Sequence, residues 1–153
     1  MLKILDCTLR DGGYYNNWHF NNGLVQNYLR AMESCSVDTV EIGFRFLDVK
    51  ENIGPFGTSD EEFLRTLNLP ESLDYAVMIN GKEYLSPDKK EIKKKIIDNF
   101  LPARESRISL VRVAINFNNA LDSEPILEEL KSLGYKIGLN LMQSNGKKEN
   151  EYE

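Results

Sequence analysis

Apolar residues along the chain follow two alternating periodicities. Runs with the spacing of β-strands lie at residues 2–7, 39–44, 73–80, 108–115 and 136–142. Apolar residues recurring every three or four positions predict helices at residues 22–35, 59–67, 86–100 and 123–133. Between them, residues 45–58 contain Gly54-Pro-Phe-Gly57 and are predicted to form a long loop. Five strands alternating with four helices predict an α/β fold with a parallel sheet of right-handed βαβ units.

Capping residues support the helix boundaries. Asn21 or Asn22 is a suitable N-cap for the first helix, and Ser59-Asp-Glu-Glu62 has the spacing of a capping box. Ser86 precedes Pro87, which predicts an N-cap followed by proline at the first helical position. Gly134 is a suitable C-cap for the last helix. The first helix is predicted to face the core with Leu24, Tyr28, Leu29, Met32 and Cys35.

The spacing of the predicted strands is also that of a TIM barrel, in which each βα unit takes roughly 31 residues. The pattern therefore fits the first five units of a (β/α)8 barrel, occupying residues 1–143, followed by a polar segment at residues 144–153. A complete five-stranded doubly wound sheet uses the same unit and fits equally well. Its nucleotide-binding form lacks support, because no glycine-rich phosphate loop follows the first strand.

Composition indicates one folded domain, since 41% of the 153 residues are hydrophobic and 28% are charged. The net charge is −5, and the basic run Lys89–Lys95 alternates with apolar residues as a solvated helix face does, so no nucleic acid is expected. No apolar stretch resembles a signal peptide or a membrane span. Cys7 and Cys35 lack metal or redox spacing, so we expect buried free thiols and a cytoplasmic location.

The segment Asp6-Cys-Thr-Leu-Arg-Asp-Gly-Gly13 ends the first predicted strand and carries the candidate chemistry. Carboxyl ends of parallel strands are where α/β enzymes assemble their sites. Asp11 can offer oxygen to a hard divalent cation, and Arg10 can stabilise an enolate or carboxylate oxygen with permanently charged donors. The two glycines are predicted to let the loop backbone turn closely past a ligand.

Residues 6–12 resemble the Asp-x-Thr-Leu-Arg-Asp-Gly signature of metallolyases that share a TIM barrel. That family contains hydroxymethylglutaryl-CoA lyase, isopropylmalate and homocitrate synthases, the carboxyltransferase domain of pyruvate carboxylase, and 4-hydroxy-2-oxovalerate aldolase. The segments Gly13-Tyr-Tyr-Asn-Asn-Trp18, Val40-Glu-Ile-Gly-Phe-Arg45 and Gly54-Pro-Phe56 are most similar to its aldolase-like branch. The resemblance extends to about residue 143.

The resemblance implies a role for each matching residue. Asp11 would be a metal ligand, Arg10 would stabilise the enolate oxygen, and Glu41, at the end of the second predicted strand, would hold the Arg10 side chain. The aldolase has a histidine base three residues after the motif aspartate, where this chain has Tyr14. A tyrosine is a poor base at neutral pH, so the resemblance leaves the base unassigned.

The implied cofactor is Mn²⁺ or Mg²⁺, which the family holds with Asp11's counterpart and a His-x-His pair on a late strand. This chain has one histidine, His19, which we expect in a surface or packing role. One carboxylate does not make a tight divalent site. Either the chain is truncated before strands six to eight, or it lacks the lyase chemistry.

Other polar residues follow the predicted strands and could bind substrate from the barrel mouth: Asn80, Asn116, Asn140 and Gln143. The aromatic residues Tyr14, Tyr15 and Trp18 are expected either to form a wall of the site or to pack against the first helix. The sequence thus predicts an aldolase or lyase that acts on a small 2-oxo acid and is inactive as this fragment alone. A homo-oligomer is the protein assembly considered for it. The alternative is a non-catalytic interaction module that retains half of the barrel.

Overall fold

The computed structural model describes residues 2–49 and 51–152, in which five strands form one parallel sheet. The strands are β1 (Leu5–Asp6), β2 (Thr39–Phe44), β3 (Asp74–Asn80), β4 (Leu110–Asn116) and β5 (Lys136–Met142). The α-helices are α1 (Thr8–Asn16), α2 (Asn22–Ser34), α3 (Pro55–Thr58), α4 (Glu61–Thr66), α5 (Gly81–Tyr84), α6 (Lys89–Asn99) and α7 (Glu124–Ser132).

The strands are arranged in the same order in space as in the sequence, β1-β2-β3-β4-β5, and every neighbouring pair is parallel. A doubly wound nucleotide-binding sheet reverses its strand order at a switch point, as in the order 2-1-3-4-5. The observed order excludes that alternative. The sheet is a curled half-barrel with its helices outside, as expected for successive βα units wound in one direction.

The core lies between the convex face of the sheet and the helices. All six residues of β2 are buried, as are five consecutive residues of β3, which agrees with the continuous apolar runs that covered parallel strands require. Each longer helix contributes a buried pair four residues apart: Val25 and Leu29, Ile92 and Ile96, Ile126 and Leu130. Such pairs lie on one face of a helix and seat it on the sheet.

The predicted core face of α2 was partly wrong. Leu24 is 60% exposed and Cys35 is exposed, whereas Val25, which the prediction omitted, is fully buried. Cys7 is half-buried, so the expectation of two buried thiols was wrong, although both cysteines are free. The buried residues of α2 are thus Val25 and Leu29, one position away from Leu24 and Tyr28 of the predicted face.

Several predicted boundaries also moved. The first strand comprises only Leu5–Asp6, and the predicted loop 45–58 contains α3. The N-caps are Asp60 and Asp88 rather than Ser59 and Ser86, because each aspartate side chain accepts a bond from a backbone N–H two or three residues later. Ser59 is instead fully buried in a left-handed conformation.

Gly134 ends α7 as predicted. It has φ +92°, and the N–H groups of Gly134 and Tyr135 donate to the carbonyls of Lys131 and Leu130. This is the Schellman arrangement, which requires a left-handed residue and therefore favours glycine. In the polar segment that follows β5, Tyr152 packs its ring against Phe117 at 5.0 Å.

None of the helices in residues 2–49 and 51–152 is long and apolar enough to cross a membrane. The two outer strands of the sheet leave apolar side chains in solvent. Leu2 and Ile4 beside β1 are 88% and 52% exposed, and Leu139 and Met142 of β5 are 42% and 37% exposed. The sheet therefore has two open edges, as the prediction of an incomplete barrel implies.

Candidate functional site

The signature segment begins at the carboxyl end of β1 but forms a helix rather than the predicted loop. Asp6, the last residue of β1, accepts a 2.8 Å bond from the Thr8 N–H and a bond from the Tyr28 hydroxyl. These contacts turn the chain directly into α1 at Thr8. Arg10 and Asp11 therefore lie in the first turn of a helix that starts at the edge of the sheet where barrel enzymes act.

Gly13 has a packing role that differs from the predicted one. The Trp18 indole lies against α1 so closely that a Cβ atom on Gly13 would be 2.1 Å from the ring. The indole Nε1 donates a 3.1 Å hydrogen bond to the Arg10 carbonyl oxygen, and Trp18 is 5% exposed. Trp18 thus packs against the motif helix and orients the backbone that carries Arg10.

Arg10 and Glu41 are in direct contact. The Nε of Arg10 donates to Oε2 of Glu41 at 2.8 Å, and the Glu41 side chain is completely buried. Glu41 is the third of the six residues of β2, so the prediction that it ends the strand was wrong. A buried carboxylate needs a charged partner, which makes this pair a fixed element of the site.

A second guanidinium reaches the same carboxylate oxygen. Arg112, in the middle of β4, donates from Nη1 to Oε2 of Glu41 at 3.0 Å and from Nη2 to the Asn140 side-chain oxygen at 3.4 Å. The sequence analysis did not single out Arg112. The signal was present, because Arg112 interrupts the apolar strand Leu-Val-Arg-Val-Ala, as Glu41 interrupts Thr-Val-Glu-Ile.

The Arg–Glu–Arg cluster, made of Arg10, Glu41 and Arg112, has one unsatisfied atom. Oε1 of Glu41 is buried and has no hydrogen-bond partner among the described residues. Burial alone would lower the pKa of Arg10, but the hydrogen bond and charge of Glu41, with the charge of Asp11, outweigh it and raise that pKa. Arg10 therefore keeps its positive charge in the site.

Asp11 lies on the solvent side of Arg10. Its side chain is 56% exposed, forms an ion pair with Arg10 Nη1 and accepts a 3.3 Å bond from the Cys7 thiol. Burial and that bond raise the pKa of Cys7. The His19 ring contacts a loop carbonyl and not Asp11: its Nε2 lies 3.2 Å from the Asn52 carbonyl oxygen.

A complete metal site is not formed by this part of the chain. No three side chains of the types His, Cys, Asp or Glu are placed to hold one ion within residues 2–49 and 51–152. Asp11 fits a single ligand position, because its carboxylate is accessible and oxygen is the donor that Mg²⁺ and Mn²⁺ prefer.

Aromatic side chains lie next to Arg10 of the Arg–Glu–Arg cluster, whose guanidinium carbon is 5.9 Å from the centre of the Phe44 ring. Tyr14, 61% exposed on α1, makes edge contacts with Trp18 at 4.9 Å and Phe44 at 6.0 Å. A cavity of about 390 Å³ adjoins these rings. It is lined by Tyr14, Asn17, Trp18, Phe46, Asp48, Ile53, Asn80 and Glu83. Tyr15 is 94% exposed.

The predicted substrate-binding asparagines separate into different environments. Asn80 caps α5, accepting from the Lys82 N–H at 3.3 Å and donating to Glu83 at 3.0 Å, and it lines the cavity. Asn140 contacts Arg112, whereas Asn116 is half-buried at the end of β4 and Gln143 is exposed beyond β5. Of these residues, Asn140 is the one in contact with the Arg–Glu–Arg cluster.

Fold and site together define a class: a half-barrel of parallel βα units whose first helix presents an arginine to a buried glutamate of the second strand. Comparison with solved structures agrees. The chain is similar to the crystal structure of the N-terminal domain of a putative aldolase from Bacteroides vulgatus, with 34% sequence identity and a TM-score of 0.75 over 95% of this chain. The chain spans 48%, about half, of that protein's chain.

No protein-family model matches this chain, and no curated protein sequence matches it. The structural similarity nevertheless covers 95% of the chain at 34% identity. The chain therefore has an aldolase-like fold built as part of a barrel.

Proposed function

We propose that this chain is the N-terminal part of a (β/α)8 TIM-barrel enzyme of the aldolase or lyase type, belonging to the metallolyase family that its signature resembles. The reaction would break or form a carbon–carbon bond of a small 2-oxo acid through an enolate. The similarity to the Bacteroides protein supports the aldolase-like class, and the signature at residues 6–12 supports the finer assignment.

The observation that carries the proposal is the contact between Arg10 and Glu41. Glu41 accepts a hydrogen bond from Nε of Arg10, which fixes the plane of the guanidinium group. The terminal nitrogen Nη1 faces Asp11. An enolate oxygen gains its charge as the carbon–carbon bond breaks. A preorganised cation at that oxygen stabilises the transition state more than the ground state.

Asp11 is the proposed metal ligand of this chain. A bound Mn²⁺ or Mg²⁺ would polarise the carbonyl oxygen of the substrate. Because the described residues do not complete the site, the remaining ligands would come from further strands of the barrel. Tyr14 is the proposed proton-transfer group, since its hydroxyl lies on the exposed face of α1 beside the cavity.

The cavity beside Tyr14 is the proposed place for the part of the substrate that does not react. Its aromatic walls and the amide of Asn80 combine apolar surface with a hydrogen-bonding group, which is the usual composition of a small-molecule site. We further propose a cytoplasmic enzyme with a small-molecule partner, assembled as a homo-oligomer.

A second candidate is a non-catalytic interaction module that keeps half of the barrel. The exposed apolar residues at the edges beside β1 and on β5 favour it, because such edges can pair with another chain. Under this proposal, the Arg–Glu–Arg cluster would stabilise the fold alone.

Turnover distinguishes the two candidates. The 153-residue chain and the longest reading frame that contains it are assayed with Mn²⁺ and a panel of 4-hydroxy-2-oxo acids, with pyruvate release as the readout. We expect turnover by the longer protein only, and a loss of at least about 100-fold in kcat for Arg10→Ala. Arg104→Ala is the matched control, because the Arg104 side chain is 83% exposed and pairs with Glu105.

Near-normal turnover in folded Arg10→Ala would contradict the mechanism. If the longer protein shows no turnover on any 2-oxo acid, the enzyme proposal fails and the interaction module is favoured.

A further inference from the structure

Two cations share one buried anion in the Arg–Glu–Arg cluster. Arg10 and Arg112 both donate to Oε2 of Glu41, at 2.8 and 3.0 Å, rather than each pairing with a carboxylate of its own. Arg10 has a second partner in Asp11, whose carboxylate is 56% exposed. Arg112 has no carboxylate partner besides Glu41 among the described residues. The buried part of the cluster therefore carries one positive charge more than its single carboxylate neutralises.

Arg112 also has N–H groups without a hydrogen-bond partner among the described residues. A guanidinium has five N–H groups, and two of those of Arg112 have partners among the described residues: Glu41 at 3.0 Å and Asn140 at 3.4 Å. The bond to Asn140 is long and uses the amide oxygen, so the Asn140 NH₂ group keeps its own donors. The Arg112 side chain is 23% exposed, which leaves it accessible from outside the protein.

The location of Arg112 agrees with a ligand-facing role. Arg112 is in register with Gly138 of the neighbouring strand, and a Cβ atom at Gly138 would be 3.1 Å from the Arg112 side chain. The side chain thus lies across β5 on the face that carries Glu41 and Asn140, opposite the face where the neighbouring Val111 and Val113 are fully buried. The absence of a side chain at Gly138 leaves room for the guanidinium above the sheet.

We propose that Arg112, together with the Asn140 amide, binds the carboxylate group of the substrate, while Arg10 stabilises the adjacent oxygen on which charge develops. This inference rests on the proposed function. An arginine matches a carboxylate with two parallel charge-assisted bonds, and the asparagine NH₂ adds a third donor. Glu41 holds the two guanidinium groups next to each other, as the neighbouring carboxylate and carbonyl oxygens of a 2-oxo acid require. The cluster would then select 2-oxo acids over neutral ketones.

The test compares pyruvate with pyruvamide, which replaces the carboxylate by a neutral amide of nearly the same shape. Both are titrated in EDTA into the purified 153-residue chain. The fluorescence of Trp18, the single tryptophan, is one readout, because its indole bonds to the Arg10 carbonyl. The guanidinium N–H resonances in ¹⁵N spectra are the other. We expect pyruvate to bind about 10-fold more tightly than pyruvamide.

Arg112→Gln should abolish that preference by weakening the binding of pyruvate more than that of pyruvamide, and Arg112→Lys should keep part of it because the charge remains. Arg107→Gln is the matched control, since Arg107 precedes β4 and instead bonds the Leu69 carbonyl at 3.0 Å. Should Arg112→Gln fail to fold by circular dichroism, Arg112→Lys and the shift of the Arg112 resonances on pyruvate addition decide the matter.

An unchanged pyruvate preference in folded Arg112→Gln, or no preference in the wild-type chain, would overturn the inference. Because EDTA removes divalent metal, the outcome is independent of turnover. Carboxylate preference without aldolase activity in the longer protein would contradict the proposed function alone, whereas activity without the Arg112-dependent preference would contradict this inference alone.

Discussion

Arg10 Nε and Glu41 Oε2 form a 2.8 Å hydrogen bond between residues 31 positions apart in the chain. The bond joins the first helix to the second strand at a carboxylate that has no exposure to solvent. Arg112 donates to the same oxygen from β4. The first, second and fourth βα units are therefore connected through one side chain, and Glu41 is as important for stability as it is for the proposed chemistry.

Replacing Glu41 should lower the free energy of unfolding by an amount that depends on the new side chain. Glu41→Ala leaves two guanidinium groups without their shared anion, so we expect the free energy of unfolding to fall by about 3 kcal/mol. Glu41→Gln keeps an oxygen acceptor of the same shape and should cost less. Urea titration followed by circular dichroism measures both. Equal stability of Glu41→Ala and the wild-type chain would show that the cluster does not stabilise the half-barrel.

The two glycines of the motif should respond in opposite directions to alanine. A methyl group at Gly13 would overlap the Trp18 ring, so Gly13→Ala should lower the free energy of unfolding by about 3 kcal/mol and shift tryptophan emission to the red. A methyl group at Gly12 would lie 3.6 Å from Phe20, an ordinary contact. Because alanine favours helices, Gly12→Ala should stabilise the chain by up to about 1 kcal/mol.

Thermal unfolding followed by Trp18 fluorescence measures both glycine variants in one experiment. Similar melting temperatures for Gly12→Ala and Gly13→Ala would contradict the packing of Trp18 against α1.

Stability should fall in acid partly through Asp6. Burial alone would raise the pKa of Asp6, but the bonds from Tyr28 and the Thr8 N–H outweigh it and lower that pKa below its ordinary value. A lowered carboxyl pKa contributes stability that is present above about pH 4 and is lost as the pH falls through the folded-state pKa. Tyr28→Phe should therefore cost about 1 kcal/mol at pH 7 and less below pH 3.

Tyr15→Phe is the control for this prediction, because the Tyr15 side chain is 94% exposed and should leave the pH profile unchanged. Urea midpoints between pH 7 and pH 2.5 give the comparison. A Tyr28→Phe profile parallel to that of the wild type would count against the Asp6 bond.

The open edges of the sheet should cause association. Leu139 of β5 is 42% exposed beside unpaired backbone groups, so the 153-residue chain should form dimers or larger species at micromolar concentration. Leu139→Lys should shift light scattering towards the monomer, because a lysine on an edge strand opposes pairing. A wild-type chain that remains monomeric would show that these edges are protected.

Local sequence determined the strands and most helices. The predictions for β2 and β5 match residues 39–44 and 136–142 of the structure. For β2 the reason is burial on both faces, which requires a continuous apolar run. Gly134 was identifiable as the end of α7, since a left-handed terminal residue is a local requirement. The contact between Arg10 and Glu41 was also expected, because the family resemblance implied that Glu41 holds the Arg10 side chain.

The tertiary structure decided the rest. Two adjacent glycines favour a loop by local propensity, yet the motif is helical because Trp18 packs into the space that Gly13 leaves. The contact of Arg112 with Glu41 spans 71 positions and depends on the register of three strands, which no local pattern specifies. Sequence alone therefore determined the positions of most strands and of the longer helices. The strand order and register decided which charged side chains meet, because each buried ion pair depends on the positions of its residues in the sheet.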